Sequence, residues 1–354
     1  MLCIKRTAVL WLVSVCALVV CACGGASAAL RLSYASQVAD PLTSYTLTGA
    51  LSPVLDPSIM RQGSTYYSFS TDVDGFPSNG HLPIHCSQDE VNWTLCGSVF
   101  PSEIPSWVST MVPGIHGLWA PDISYFNSHY HVYYCGSTLG SNRTVIGLAT
   151  NTTLDPNDPA YKWVDRGLVF DSVPENNFNA LDPNILVDTD GSVWLTYGSY
   201  WTGIKQRQID AQTGLLASSP TVYDLATRPS VPHNPIEGPS LIHYGQYYYL
   251  FVSIDYCCKA TVAEDNYKEA VGRSSSPHGG FVDEAGTPMM QGGGTVLLQG
   301  DSRWNAPGGG TAYIDASTGE SLLIFHAQDL NEGGTPFQWV EKLTWANGWP
   351  VVGK

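Results

Sequence analysis

At 354 residues the chain can bury a sizeable core, and its net charge of −15 disfavours polyanionic partners such as nucleic acid or an anionic membrane surface. Only 13% of residues are charged, while 35 glycines, 23 prolines and 11% aromatics exclude a disordered chain and suit an all-β one. A neutral polysaccharide fits this balance as a partner.

The N-terminus reads as a targeting segment. Lys5 and Arg6 precede an apolar run from Ala8 to Val20, broken only by Ser14, and Ala26-Ser27-Ala28 fits the small-residue cleavage pattern of a secretory leader. The run falls short of the roughly 20 residues a membrane-spanning helix needs. Residues 1–28 are therefore expected to be a signal peptide and the protein to be secreted. The alternative is a lipid anchor through Cys23, because Val20-Cys21-Ala22-Cys23 resembles a lipoprotein cleavage site. Without the leader, 14 basic residues face 31 acidic ones, a balance of −17. Residues 29–50 read as an N-terminal segment and 51–354 as one domain.

Within that domain one pattern recurs. "LDPSIMRQGSTYYSFST" begins at Leu55, "APDISYFNSHYHVYYCGST" at Ala120, "LDPNILVDTDGSVWLTYGS" at Leu181 and "GPSLIHYGQYYYLFVSID" at Gly238. Each reads x-Pro-[Ser/Asp/Asn]-apolar, a short strand, a polar or glycine turn, then an aromatic-rich strand. The prolines, Pro57, Pro121, Pro183 and Pro239, are 64, 62 and 56 residues apart. A degenerate fifth copy starts at Gly308. No stretch shows convincing helical periodicity. Five units of about 60 residues predict a five-bladed β-propeller, with four-stranded sheets standing radially around a channel. The competing reading is a β-sandwich with fortuitously similar hairpins, which leaves the aligned prolines unexplained.

In a propeller the first strand of each blade lines the axis, so residues at its start converge on one mouth. Asp56 and Asp182 hold that place in two blades, and Glu237 stands one position earlier in a third. Carboxylates gathered away from water must hold a cation or divide their protons unequally. Unequal division is what glycoside hydrolysis requires: a protonated acid for the leaving oxygen and an ionised partner for water.

Five cysteines follow the leader: Cys86, Cys96, Cys135 and the adjacent Cys257-Cys258. Cys86 and Cys96 flank a plausible hairpin and could pair across it; Cys257-Cys258 could be a vicinal disulfide or two thiols. Asn92, Asn142 and Asn151 begin glycosylation sequons that matter only in a eukaryotic host.

Several segments in order resemble the arabinanases of glycoside hydrolase family 43: "DPSI", "GLWAPDISYFNSHYHVYY", "GSTLGSNRTVIGLATN", "FNALDPNILVD", "GSYWTGIK", "IEGPSLIHYGQYYYLFVS", "CC", "APGGG" and "NGWPV". They run from about residue 55 to 352. The resemblance implies an inverting glycosidase that cleaves internal α-1,5-arabinofuranosidic bonds of arabinan. It implies Asp56 as general base, Glu237 as general acid, and Asp182 as the residue that raises and orients the acid. Base and acid would then stand roughly 6.5–9.5 Å apart. Relatives commonly carry histidine before the base; here Leu55 precedes it. The resemblance also implies calcium near the axis, bound by His326 mostly through water, although calcium prefers six to eight oxygens.

Furanose recognition calls for apolar platforms beside hydrogen-bonding groups. Trp119, Tyr200 and Trp201 are the candidate platforms, and Asp122, Asn179 and Ser199 the candidate polar contacts. A monomer acting on arabinan is expected. The alternatives are an exo-acting α-L-arabinofuranosidase or β-xylosidase on the same fold, decided by the loops at Asp72 to His81 and Pro229 to Pro235, or a non-catalytic carbohydrate-binding propeller.

Overall fold

The computed structural model describes residues 45–73 and 80–353. The leader with Cys23, residues 29–44, and residues 74–79, which fall within the Asp72 to His81 segment named above, lie outside the described part. Five antiparallel sheets of four consecutive strands each make the blades. Blade one holds β2 (Ser58–Gln62), β3 (Thr65–Phe69), β4 (His81–Ser87) and β5 (Asn92–Phe100), with β1 (Thr48–Gly49) added in parallel to its outer edge. Blade two holds β6 (Leu118–Phe126), β7 (His129–Gly136), β8 (Thr144–Asn151) and β9 (Val164–Ser172). Blade three holds β10 (Asn184–Val187), β11 (Val193–Tyr197), β12 (Ile204–Ile209) and β13 (Tyr223–Ala226). Blade four holds β14 (Ile236–Tyr244), β15 (Tyr247–Ile254), β16 (Lys268–Ser274) and β17 (Thr295–Leu298). Blade five holds β18 (Trp304–Ile314), β19 (Ser321–Asp329), β20 (Thr335–Ala346) and β21 (Trp349–Val352). The innermost strands β2, β6, β10, β14 and β18 touch in a ring, as the five-bladed reading requires.

Blades are covered on both faces by their neighbours, so some middle strands are buried on both faces rather than alternating. β8 and β19 are buried along their whole lengths. The innermost strand of a blade has only one hydrogen-bonded neighbour, which leaves buried N–H groups to be satisfied otherwise. The polar residue after each repeat proline does this. Ser58 accepts from Ile123 N (3.2 Å), Asp122 from Ile185 N (2.8 Å), Asn184 from Leu241 N (2.8 Å) and Ser240 from Ala312 N (3.0 Å). Each bond runs to the following blade, so the third motif position forms a belt around the axis. Ser58 and Asn184 also donate to Asp122 Oδ1 at 3.2 and 3.1 Å.

Among the described residues no strand is shared between the first and last blades; side chains close the ring together with two backbone bonds, Val54 N to Pro336 O (3.1 Å) and Gln338 N to Leu51 O (2.8 Å). Arg61 pairs with Asp315 at 2.8 Å, and Ser68 donates to Gln338 at 2.6 Å. Leu51, Ile59, Trp93, Leu322 and Ile324 bury one seam between them. Tyr45 packs on Trp304 and Trp339 of blade five, while β1 pairs with blade one. The chain therefore joins the propeller ahead of residue 51, the boundary expected from sequence. Helix α1 (Ser106–Met111) is also new: it is six residues long, and it exists to lay Val108 with Val112 into the seam between blades one and two.

The belt makes a prediction. Asn184→Ala removes the acceptor for Leu241 N and a donor to Asp122, and should lower unfolding stability by about 1–3 kcal/mol. Urea unfolding measures it; an unchanged midpoint would show that the belt contributes nothing.

Candidate active site

The residue before each repeat proline adopts a left-handed backbone. φ is +47° at Asp56, +43° at Ala120, +54° at Asp182 and +56° at Gly238, with Gly309 at +59° in blade five. Residues before proline resist helical backbone, and a non-glycine at positive φ stores on the order of 1–3 kcal/mol. Five copies of one kink, costly at Asp56, Ala120 and Asp182 and free of that cost at the two glycines, turn the same position onto the channel mouth. Two blades place aspartates there, and aspartate tolerates this region better than most side chains. Blade four places Gly238 there and brings the longer Glu237 from one residue earlier. The three expected carboxylates thus line one cleft of about 1850 Å³.

Each carboxylate has its own partners. Thr71 donates to Asp56 Oδ2 at 2.7 Å, and is itself aimed by the N–H of Ala120, also at 2.7 Å. Asp56 N donates to His326 Nδ1 at 3.2 Å. Glu237 accepts from Ser199 at 2.6 Å and from Tyr267 at 2.9 Å. Asp182 accepts only the backbone N–H of Gly238, at 2.9 Å. That last bond ties the third carboxylate to the residue after Glu237.

Electrostatics separates their roles. Burial pushes Asp56 up to about 6, against the Thr71 hydrogen bond, though its side chain stays 32% open to the cleft. Burial also raises Glu237; Ser199 and Tyr267 offset this, the Asp56 charge adds to it, and the Lys259 cation opposes it. Asp182 rises by burial and then by repulsion from Glu237 and Asp56. Glu237 and Asp182 are thus both held above the ordinary carboxylate range, with Asp182 the further raised. Neighbouring carboxyls with unlike surroundings are what acid–base chemistry at one site requires.

Trp119, Asn179, Ser199, Tyr200 and Trp201 line the cleft with the carboxylates. Trp201 is 37% exposed, and both it and Tyr200 have positive φ, which turns them out of their loop. Pro229 to Asn234 form one wall, Leu139 to Ser141 another. Asp122 is placed differently from expectation: it is 4% exposed and its carboxylate belongs to the belt. Tyr267 and Thr71 were not singled out from sequence. Tyr267 lies outside the repeated pattern, and Thr71 reads as the unremarkable end of a strand.

Nothing among the described residues adds a second side-chain ligand to His326 for the expected calcium. The histidine is fully buried, and burial lowers it to about 4, so the ring is neutral. Its Nδ1 accepts from Asp56 N, which assigns the ring proton to Nε2, 3.8 Å from Cys257 Sγ. Among the described residues no group of three or more His, Cys, Asp or Glu side chains could hold a metal. The visible part of His326 is to buttress the Asp56 backbone. Cys86 pairs with Cys96 and Cys257 with Cys258, leaving Cys135 as a buried thiol.

Known proteins share this arrangement. The family description "Glycosyl hydrolases family 43" matches residues 52–350. The chain is 39% identical over 296 residues to an extracellular endo-alpha-(1->5)-L-arabinanase of Bacillus subtilis, covering 83% of this chain and 86% of that one. It is 34% identical over 323 residues to an extracellular exo-alpha-(1->5)-L-arabinofuranosidase of Cellvibrio japonicus, covering 84% and 86%. Among solved structures, the endo-arabinanase of Bacillus licheniformis superposes with a TM-score of 0.77 at 37% identity, covering 87% of this chain and all of that one. The chain belongs to glycosyl hydrolases family 43.

Proposed function

We propose that the protein is an inverting endo-acting arabinanase that cuts internal α-1,5-L-arabinofuranosidic bonds. The observation that carries this reading is three carboxylates on separate blades at the floor of one cleft, with partners that make them chemically unlike. In the mechanism, Asp56 is the general base: Thr71 and His326 hold it, and its ionised form takes a proton from the attacking water. Glu237 is the general acid that protonates the leaving glycosidic oxygen. Asp182 keeps the acid protonated by repulsion and fixes its strand through Gly238 N. Trp119, Tyr200 and Trp201 offer apolar faces to the sugar rings, with Asn179 and Ser199 as polar contacts. One chain supplies every one of these groups, so a monomer suffices. No helix among the described residues is long and apolar enough to span a membrane. Both relatives named above are extracellular, and the paired cysteines suit an oxidising compartment. We therefore propose export with loss of residues 1–28.

The exo-acting relative favours a second reading in which only chain ends are cut. Product lengths separate the two: linear arabinan should yield mixed oligosaccharides early, whereas release of a single short product from the start would establish exo action. Glu237→Ala should lower turnover of arabinan by about 10²–10⁴-fold with the fold intact; undiminished turnover would remove Glu237 from the chemistry. Mass spectrometry of exported protein should find cleavage after Ala28, and an acyl group on Cys23 would replace free secretion with anchoring.

A further inference from the structure

The three glycines of "APGGG" in β18 face blade four and blade one at close range. A Cβ on Gly308 would strike the Tyr267 ring, one on Gly309 would meet Asp56 Oδ1 and the His326 ring, and one on Gly310 would lie 3.0 Å from the Glu269 carboxyl. Gly309 also requires its left-handed φ of +59°. This bare backbone is the wall against which the base and its histidine rest.

Blade four grips that wall through a polar chain. Gly309 N donates to Ser253 Oγ at 2.8 Å, and Ser253 donates to Glu269 Oε2 at 3.0 Å. Gly310 N–H adds to the same carboxyl. Ser253 stands opposite Glu237 in the β14–β15 ladder and opposite Glu269 in the β15–β16 ladder. Glu269 is fully buried and forms no ion pair, and its Oε1 has no partner. An isolated buried carboxyl is costly, and a hydrophobic residue would fill a seam between blades more cheaply. Burial raises it to about 8, so it is neutral in most working conditions.

We propose that Glu269 is a positioning residue for the catalytic base: through Ser253 and the Gly309–Gly310 backbone it sets where Asp56 stands relative to the acid across the cleft. It touches neither substrate nor reacting atoms. The proposal rests on Asp56 being the base, as given above. Displacing a reacting group by about 1 Å can cost 10²-fold in rate without weakening binding.

A double-mutant cycle tests it on the full-length mature enzyme with linear arabinan. Glu269→Ala should lower kcat about tenfold to hundredfold and leave KM within about twofold. Glu269→Gln, which keeps the shape and an acceptor oxygen, should recover most of that loss, and Ser253→Ala should reproduce it. In an Asp56→Ala background, where no base remains to misplace, Glu269→Ala should change the residual rate by less than about twofold. A full-sized further loss in that background would overturn the proposal, because Glu269 would then act on something other than the base. So would a Glu269→Gln variant as impaired as the alanine one. Should Glu269→Ala fail to fold, Ser253→Ala and Glu269→Gln carry the same comparison. If Asp56→Ala alone keeps full activity, the assignment of the base fails instead, and that outcome is read before the cycle is closed.

Discussion

Repulsion among three carboxylates at one mouth is the constraint the rest of the structure serves. Left free, Asp56, Asp182 and Glu237 would separate or take up counter-ions; here the polypeptide holds each on a different blade. The holding device is a left-handed kink repeated at the start of all five innermost strands. One layer below, the belt of Ser58, Asp122, Asn184 and Ser240 ties each blade to the next. Strain above is sustained by hydrogen bonds beneath.

The same repeat explains what the sequence made legible. Evenly spaced x-Pro dipeptides marked the innermost strands, because proline just before a strand or at an edge strand's bulge is a local signal with a local cause. From there the carboxylates followed by position alone. The third motif residue was harder. Asp122 sits in a register that looks functional, yet its side chain serves a backbone N–H in the next blade, which no local pattern discloses. Thr71 and Tyr267 escaped for the opposite reason: they reach the site by tertiary approach, from strand ends with no motif of their own. The pairing of β1 with β5 depends likewise on a tertiary approach, to the outer edge of blade one.

His326 shows how far likeness of sequence carries. Its position resembles a ligand's, and what the structure adds is the hydrogen bond its Nδ1 accepts from Asp56 N, with Cys257 Sγ 3.8 Å from Nε2. Its contribution is made through the base. Glu237 is balanced with comparable economy: Ser199, Tyr267 and Lys259 favour its ionised form, while burial and Asp56 favour its protonated form. Asp182 is pushed further still, first by burial and then by the Glu237 and Asp56 charges; on the proposed mechanism, the proton retained between these two carboxyls is the one Glu237 delivers. The cleft walls, Pro229 to Asn234 on one side and Leu139 to Ser141 on the other, then select what the donor meets.

The pH dependence of kcat/KM, compared between the wild type and Asp182→Asn, examines this most directly. The acidic limb reports the base and should lie near the raised value of about 6 in both proteins, or slightly lower once Asp182 no longer repels Asp56. The alkaline limb reports loss of the acid's proton. Removing the Asp182 charge lets Glu237 ionise more readily, so that limb should move down by about one unit or more and narrow the bell. An alkaline limb that stays where it was, with activity otherwise retained, would mean that the carboxylates do not share protons, and the account would fail at its centre.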